Sequence, residues 1–287
     1  MEYITLNNGV KMPAEGVGVF QVPDGNVTVQ AVYDAIASGY RSIDTASAYQ
    51  NEASVGEAIS RAISDGLVKR EELFITTKLW VQDYGEESAK RAFEKSLKLL
   101  KLDYLDLYLF HQPLGDYYSA YRAMTDLYKA GETRAIGCSN LYPHVLADFC
   151  ESVEIRPAVN QVELHPFFQQ PGALETMKSY GVIPEAWGPF AEGKFDIFSN
   201  PILSKIAQKH GKTVAQIILR WNIQRGVVVI PKSTKKARME ENFAIWDFVL
   251  DDEDMKSIAA LDREKSEIVN HFDPAFVKMI HSWKIHD

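Results

Sequence analysis

A chain of 287 residues with 46% hydrophobic and 24% charged side chains has an ordinary globular composition, and its length suits one α/β barrel better than one sandwich. The formal net charge of -8 argues against nucleic acid or an anionic membrane as partner, and no apolar run approaches the ~20 residues that span a bilayer. Only two cysteines, Cys138 and Cys150, and a start without a basic stretch ahead of an apolar core point to a cytoplasmic protein, expected as a monomer or weak dimer.

The first twelve residues read as a hairpin. Tyr3-Ile4-Thr5-Leu6 and Val10-Lys11-Met12 flank Asn8-Gly9, a strong turn signal between short apolar strands. Strand-like runs then appear near 16–20, 41–45, 73–79, 104–110, 134–139, 158–164, 182–187 and 227–231. Helical periodicity fills the gaps: Val29, Val32 and Ile36; Val55, Ile59 and Ile63; Ala89, Phe93, Leu97 and Leu100; a Thr213–Gln216 capping box ahead of Ile217, Ile218 and Trp221; and Met239, Phe243 and Trp246. Eight alternating units without a composition break predict a single α/β domain over 1–287, a (β/α)8 TIM barrel with an N-terminal β-hairpin.

In such a barrel the chemistry lies at the carboxyl ends of the strands. Asp44, Lys78 and His111 each end a predicted strand, and Tyr49 follows Asp44 by one short loop. An acid, an amine, a phenol and an imidazole gathered there form a proton-transfer device. A phenol titrates near pH ~10, and a neighbouring ammonium lowers that value. Metal chemistry has little support: the seven histidines make no H-x-H or H-E-x-x-H pair, and the cysteines no C-x-x-C. Nor is there a G-x-G-x-x-G fingerprint for a nucleotide. A phosphate site is instead expected at Lys232-Ser233-Thr234-Lys235-Lys236-Ala237-Arg238, which carries four cations at a strand-to-helix turn.

Six segments in order carry a family resemblance: Asp44-Thr45-Ala46-Ser47-Ala48-Tyr49-Gln50-Asn51-Glu52, Ile75-Thr76-Thr77-Lys78-Leu79-Trp80, Leu105-Asp106-Leu107-Tyr108-Leu109-Phe110-His111, Ile136-Gly137-Cys138-Ser139-Asn140, Asn160-Gln161-Val162-Glu163-Leu164-His165-Pro166 and Ile230-Pro231-Lys232-Ser233. Together they resemble the aldo-keto reductases, in the branch of bacterial diketogulonate reductases and prostaglandin F synthases. The resemblance implies the same barrel and reversible reduction of aldehydes and ketones with NADPH. It implies Tyr49 as general acid, Lys78 and Asp44 as the pair that tunes it, and His111 as the group that orients the carbonyl. It further implies Lys232, Ser233 and Arg238 at the 2′-phosphate, Glu241 and Asn242 at adenine, Ser139, Asn140 and Gln161 at the carboxamide, and Trp187 stacked on the nicotinamide.

The chain departs from the family pattern at three places. Trp187-Gly188-Pro189-Phe190 stands where many members carry Tyr-Ser-Pro-Leu, so Gly188 leaves a pyrophosphate contact to backbone N–H groups. Cys138 stands where Val is common, and Gln112 where Trp is common, beside His111. Phe20 and Trp80, with Tyr117 or Tyr118, are candidate walls of an open substrate pocket for small aldehydes, 2-oxoaldehydes or sugar-like ketones. Residues 265–287 are further candidates to line it, but their role is not legible from the sequence. Two rival readings are a lyase or hydrolase on the barrel, whose only candidate Schiff-base lysine, Lys78, is better explained by Asp44, and a non-catalytic nucleotide-binding regulatory subunit, against which intact Tyr49, Lys78 and His111 argue.

Overall fold

The computed structural model describes residues 1–266 and 268–287. Strands β1 (Tyr3–Thr5) and β2 (Lys11–Pro13) form the antiparallel hairpin, turning at Gly9 with φ 87°. Its side chains Leu6 and Met12 pack with Phe74, Leu107, Leu109, Val159 and Val228. The side-chain amides of Asn7 and Asn8 donate to the carbonyls of Pro157 and Arg134 at 3.0 and 2.9 Å. The hairpin is therefore pinned across the end where the parallel strands begin.

Eight parallel strands follow: β3 (Val17–Gly18), β4 (Ser42–Asp44), β5 (Phe74–Leu79), β6 (Leu107–Phe110), β7 (Ile136–Ser139), β8 (Val159–Glu163), β9 (Ile183–Trp187) and β10 (Val228–Val229). Each pairs with the next in sequence order. A parallel bridge between Glu15 and Val229 joins last to first, with Gly16 N–H donating to the Val229 carbonyl at 2.8 Å and Val229 N–H to the Ala14 carbonyl at 3.1 Å. The sheet thus closes into the expected barrel.

Eleven α-helices surround it among the described residues: α1 (Asn26–Ala37), α2 (Glu52–Ser64), α3 (Glu86–Leu100), α4 (Tyr117–Lys129), α5 (Pro143–Ser152), α6 (Pro171–Tyr180), α7 (Pro201–His210), α8 (Val214–Gln224), α9 (Lys236–Phe243), α10 (Asp252–Ala259) and α11 (Pro274–Ser282). None is long and apolar enough to cross a membrane. The capping box of α8 forms, Thr213 Oγ1 accepting from the Gln216 N–H and Gln216 Oε1 from the Thr213 N–H. Gly56 in α2 lies so near the end of α3 that a Cβ there would stand 2.5 Å from the Leu99 carbonyl oxygen.

Two details differ from expectation. Ile63 is 36% exposed, because Ala62 takes the buried position in that turn of α2. Trp246 lies beyond α9, which ends at Phe243.

Strand alternation positions the site. In β6, Leu107 and Leu109 point into the barrel, while Tyr108 and Phe110 pack with the helices. The same period turns Ile43, Ile75, Cys138, Val162 and Ala186 toward the helices. Their alternates, including Asp44, Lys78, Ser139, Gln161, Glu185 and Trp187, face the interior at its carboxyl end.

Candidate active site

Asp44 closes β4, Lys78 is the penultimate residue of β5, and His111 directly follows β6, its N–H donating to the Leu79 carbonyl at 3.0 Å. Tyr49 ends a short 3-10 turn over Ser47–Tyr49. Ser47 Oγ donates to the Lys78 carbonyl at 2.9 Å and ties that turn to β5. The four predicted residues therefore meet.

Lys78 is fully buried and its ammonium has three donors for three acceptors. Nζ donates to Asp44 Oδ1 at 2.6 Å, to the Thr45 carbonyl at 2.9 Å and to Tyr49 Oη at 3.3 Å. Burial pulls the lysine toward losing its proton, but Asp44 and Tyr49 outweigh that and hold its pKa above the usual value. The phenol departs from the simple sequence expectation. Burial raises the Tyr49 pKa to about 12; Lys78 lowers it, as expected, but not enough to bring it below the ordinary value. Burial and then Lys78 keep the His111 pKa well below 6.5, so the imidazole is neutral at pH 7. Its Nδ1 is buried without a partner among the described residues, which favours the proton on Nε2. The His111 ring meets Tyr49 and Trp80 edge-on, at centroid distances of 5.6 and 5.2 Å.

A second ring of polar groups stands behind these. Gln161 Nε2 donates to Asp44 Oδ2 at 2.9 Å and to Glu185 Oε2 at 2.7 Å. Ser139 Oγ donates to the Gln161 carbonyl at 2.8 Å. An indole N–H can only donate, so the 2.9 Å bond from Trp187 Nε1 fixes Oδ1 of Asn140. Asn140 Nδ2 is thereby turned to the His111 carbonyl at 3.2 Å, to Ser139 Oγ at 3.1 Å and toward Gln112 Oε1 at 3.4 Å. Sequence reasoning missed Glu185, although its place two residues before Trp187 on the inward face was a usable signal.

All of this opens on one cavity of about 810 Å³. Among the sequence-predicted residues its lining includes Phe20, Asp44, Tyr49, Trp80, His111, Gln112, Ser139, Asn140, Gln161, Trp187, Gly188, Lys232, Ser233, Arg238, Glu241 and Asn242, with Lys78 enclosed behind Tyr49. The basic run opens α9 as expected. Thr213 and Val214, at the start of α8, join that end, Thr213 Oγ1 donating to Glu241 Oε1 at 3.0 Å. The long cleft, with cations at one end and amide groups at the other, suits a dinucleotide phosphate: Lys232 and Arg238 for anionic oxygens, and Gln161 with both N–H groups spent on carboxyls and its carbonyl left for an amide donor.

The substrate end holds the corrections. Tyr117 and Tyr118 do not line the cavity. They stack on each other at 4.9 Å and pack against Phe110 and Phe149 on the helix side of β6. Residues past 267 take the wall position instead: Phe276, Met279, Ile280 and Trp283 line the cavity, with His271 nearby. Trp80 Nε1 donates to the Trp283 carbonyl at 2.9 Å, which docks this segment over the barrel mouth. Their spacing of three, one and three residues is a helical stripe that the sequence displayed.

Comparison with known proteins follows the same pattern. A model described as "Aldo/keto reductase family" matches residues 16–263. The chain is 49% identical over 263 residues to a glyoxal reductase of Bacillus subtilis (strain 168), covering 91% of this chain and 93% of that one. It is 42% identical over 265 residues to the methylglyoxal reductase DkgA of Escherichia coli (strain K12), covering 91% and 94%. A crystal structure of a Bombyx mori aldo-keto reductase in complex with NADP superposes with a TM-score of 0.89 at 35% identity, covering 94% of this chain and 95% of that one.

Proposed function

Because this chain belongs to the aldo/keto reductase family, we propose that Tyr49, Lys78, Asp44 and His111 carry its reaction, the reversible NADPH-dependent reduction of aldehydes and ketones to alcohols. Bound NADPH supplies the hydride. Tyr49 gives its proton to the carbonyl oxygen as charge develops there. The phenolate left behind is stabilised by Lys78, whose ammonium stands 3.3 Å away. Asp44 holds that ammonium in place. Neutral His111 presents an N–H to the same carbonyl oxygen and orients it.

Lys232, Ser233 and Arg238 would hold the 2′-phosphate, with Glu241 and Asn242 at adenine. Gly188 would approach the pyrophosphate with backbone N–H. Ser139, Asn140 and Gln161 would hold the carboxamide, and the Trp187 ring, pinned through its N–H to Asn140, would pack on the nicotinamide.

The substrate end supports an uncharged carbonyl compound. Around Tyr49 and His111 the wall is Phe20, Trp80, Gln112, Phe276, Met279 and Trp283, with no lysine or arginine among them to pair a carboxylate. A 2-oxoaldehyde is small and uncharged and fits this wall, as the glyoxal-reducing relatives suggest. We read residues 1–287 as one barrel domain acting in the cytoplasm as a monomer or weak dimer.

The observation that carries the reading is the Lys78 ammonium bonded at once to Asp44 and Tyr49. Tyr49→Phe tests it. NADPH affinity should hold, while reduction of methylglyoxal under single-turnover conditions should fall by roughly two to four powers of ten. An unchanged hydride-transfer rate would remove Tyr49 as the acid.

A further inference from the structure

We propose that Glu185 is a positioning residue of the catalytic network, acting through Gln161 on Asp44 and, through Asp44, on Lys78 and Tyr49. The proposal rests on the carbonyl-reductase reading above. Glu185 lies on β9, fully buried, and does not line the cavity. One of its carboxyl oxygens, Oε2, accepts from Gln161 Nε2 at 2.7 Å, and the same nitrogen donates to Asp44 Oδ2 at 2.9 Å. Its other oxygen, Oε1, is enclosed without a partner among the described residues.

An amide has two N–H groups, and here each is directed at a carboxyl. A flipped Gln161 would set its carbonyl oxygen against the Asp44 carboxylate and withdraw the N–H from Glu185 Oε2. The pair therefore fixes the amide, and the amide fixes the Asp44 oxygen that Lys78 does not hold. Asp44 Oδ1 is on the ammonium and Oδ2 on Gln161, so Glu185 stands two hydrogen bonds behind the Asp44–Lys78–Tyr49 chain.

Charge gives Glu185 a second effect. The groups facing it are Asp44 from β4, Lys78 from β5, Tyr49 from the turn beyond β4 and Gln161 from β8; its register partner on β10 is Val228. One cation thus faces two carboxyls. Burial, and then Asp44, hold Glu185 protonated, its pKa raised to about 8. When it ionises, its charge opposes the phenolate that Tyr49 becomes on giving up its proton. Reduction should therefore slow as pH rises through that ionisation.

The experiment has a cofactor-free readout and a kinetic one. In infrared difference spectra between about pH 7 and about pH 9.5, the apo wild type should lose carbonyl bands of protonated carboxylic acids from both Glu185 and Glu15, whose pKa is also raised to about 8. Glu185→Gln should lose only the Glu15 band, and Glu15→Gln only the Glu185 band. In reduction by deuterated NADPH, with an isotope effect showing that hydride transfer limits the rate, the wild type and Glu15→Gln should slow about three- to tenfold over this range. Glu185→Gln should show no such limb, nor should Glu185→Met, a second non-ionising variant if the amide is not tolerated.

A limb or band that survives in both Glu185 variants overturns the proposal. Tyr49→Phe run alongside separates the two failures. If it transfers hydride at the wild-type rate, Tyr49 is not the acid and the catalytic reading behind the proposal falls; if it is slow while the Glu185 variants keep the wild-type profile, only the role of Glu185 falls.

Discussion

Replacing Lys78 by methionine removes the cation from the centre of the site while keeping a chain of similar length. Its Nζ stands 3.3 Å from Tyr49 Oη, where a unit charge pair at an effective dielectric of ~20 attracts by about 5 kcal/mol. Asp44, 2.6 Å from the same nitrogen, offsets part of that attraction, and burial works against the phenolate throughout. The Tyr49 pKa, already raised to about 12, should therefore rise further in Lys78→Met. Each unit of that rise costs ~1.4 kcal/mol of phenolate stability. Aldehyde reduction should fall by about two to four powers of ten, the share that a positioned general acid supplies. In alcohol oxidation the phenolate is the base, so its fraction at about pH 9 falls with the rising pKa and the ionisation limb moves to higher pH. The variant also leaves the Asp44 carboxylate buried without its partner, a cost of about 3–5 kcal/mol in stability. The double change Lys78→Met, Asp44→Asn should relieve that cost without restoring the rate, which separates misfolding from lost chemistry. Stopped-flow measurement of NADPH oxidation, with the pH profile of alcohol oxidation, decides the matter. An oxidation limb at the same pH in Lys78→Met and wild type would refute the claim that the ammonium tunes the phenol.

Two further outcomes follow from other parts of the molecule. Arg238→Ala should erase most of a ten- to hundredfold preference for NADPH over NADH, about the worth of a charge-assisted contact; fluorescence titration with both cofactors checks it, and an unmodified protein that binds them equally would remove Arg238 and Lys232 from the 2′-phosphate. Glu15 is buried beneath α9, where Tyr40 donates to its Oε1 at 3.1 Å and Oε2 has no partner among the described residues. Burial raises its pKa from 4.5 to about 8. The folded state therefore binds the proton more tightly than the unfolded one. Its contribution to stability is complete below about pH 4.5 and is lost at ~1.4 kcal/mol per pH unit as pH rises toward about 8. Thermal midpoints should fall over that window in the wild type and fall less in Glu15→Gln; parallel curves would show that Glu15 is not protonated in the fold.

The parts of the structure that were legible in the sequence are those governed by local period. Alternation of apolar strands with helical stripes was enough for the barrel, because each strand is buried on both sides and each helix on one. Asn8-Gly9 was enough for the hairpin. That Asp44, Tyr49, Lys78 and His111 would meet was legible because strand ends in a closed barrel converge without further specification. What escaped depended on the third dimension. The difference between Tyr117 or Tyr118 and Trp283 as pocket wall is a matter of where α4 and α11 dock. Helix α4 turns its aromatic rings to Phe110 and Phe149, while α11 is fixed by a backbone carbonyl, that of Trp283, bonded to Trp80. No side-chain pattern announces a backbone acceptor. Ile63 and Trp246 show a smaller version of the same limit, since a periodic stripe does not say which of two adjacent apolar residues finds the core.

Burial also reverses a sign that residue types alone suggest. Lysine beside tyrosine reads as a lowered phenol pKa, and the local effect of Lys78 does have that direction. Yet burial, the larger effect, raises the phenol, and Asp44, bonded to Lys78, offsets part of the ammonium's field. The result is a site in which the two groups facing the cavity, Tyr49 and His111, are uncharged at pH 7, with Glu185 held protonated behind them. Two neutral donors can then meet a neutral carbonyl oxygen without a standing charge for water to solvate. In the proposed reaction the ion pair enclosed in this site, Lys78 with Asp44, acts when the phenol gives up its proton. In this arrangement the ammonium contributes most where charge develops and little before, which is the difference between stabilising a transition state and merely binding a substrate.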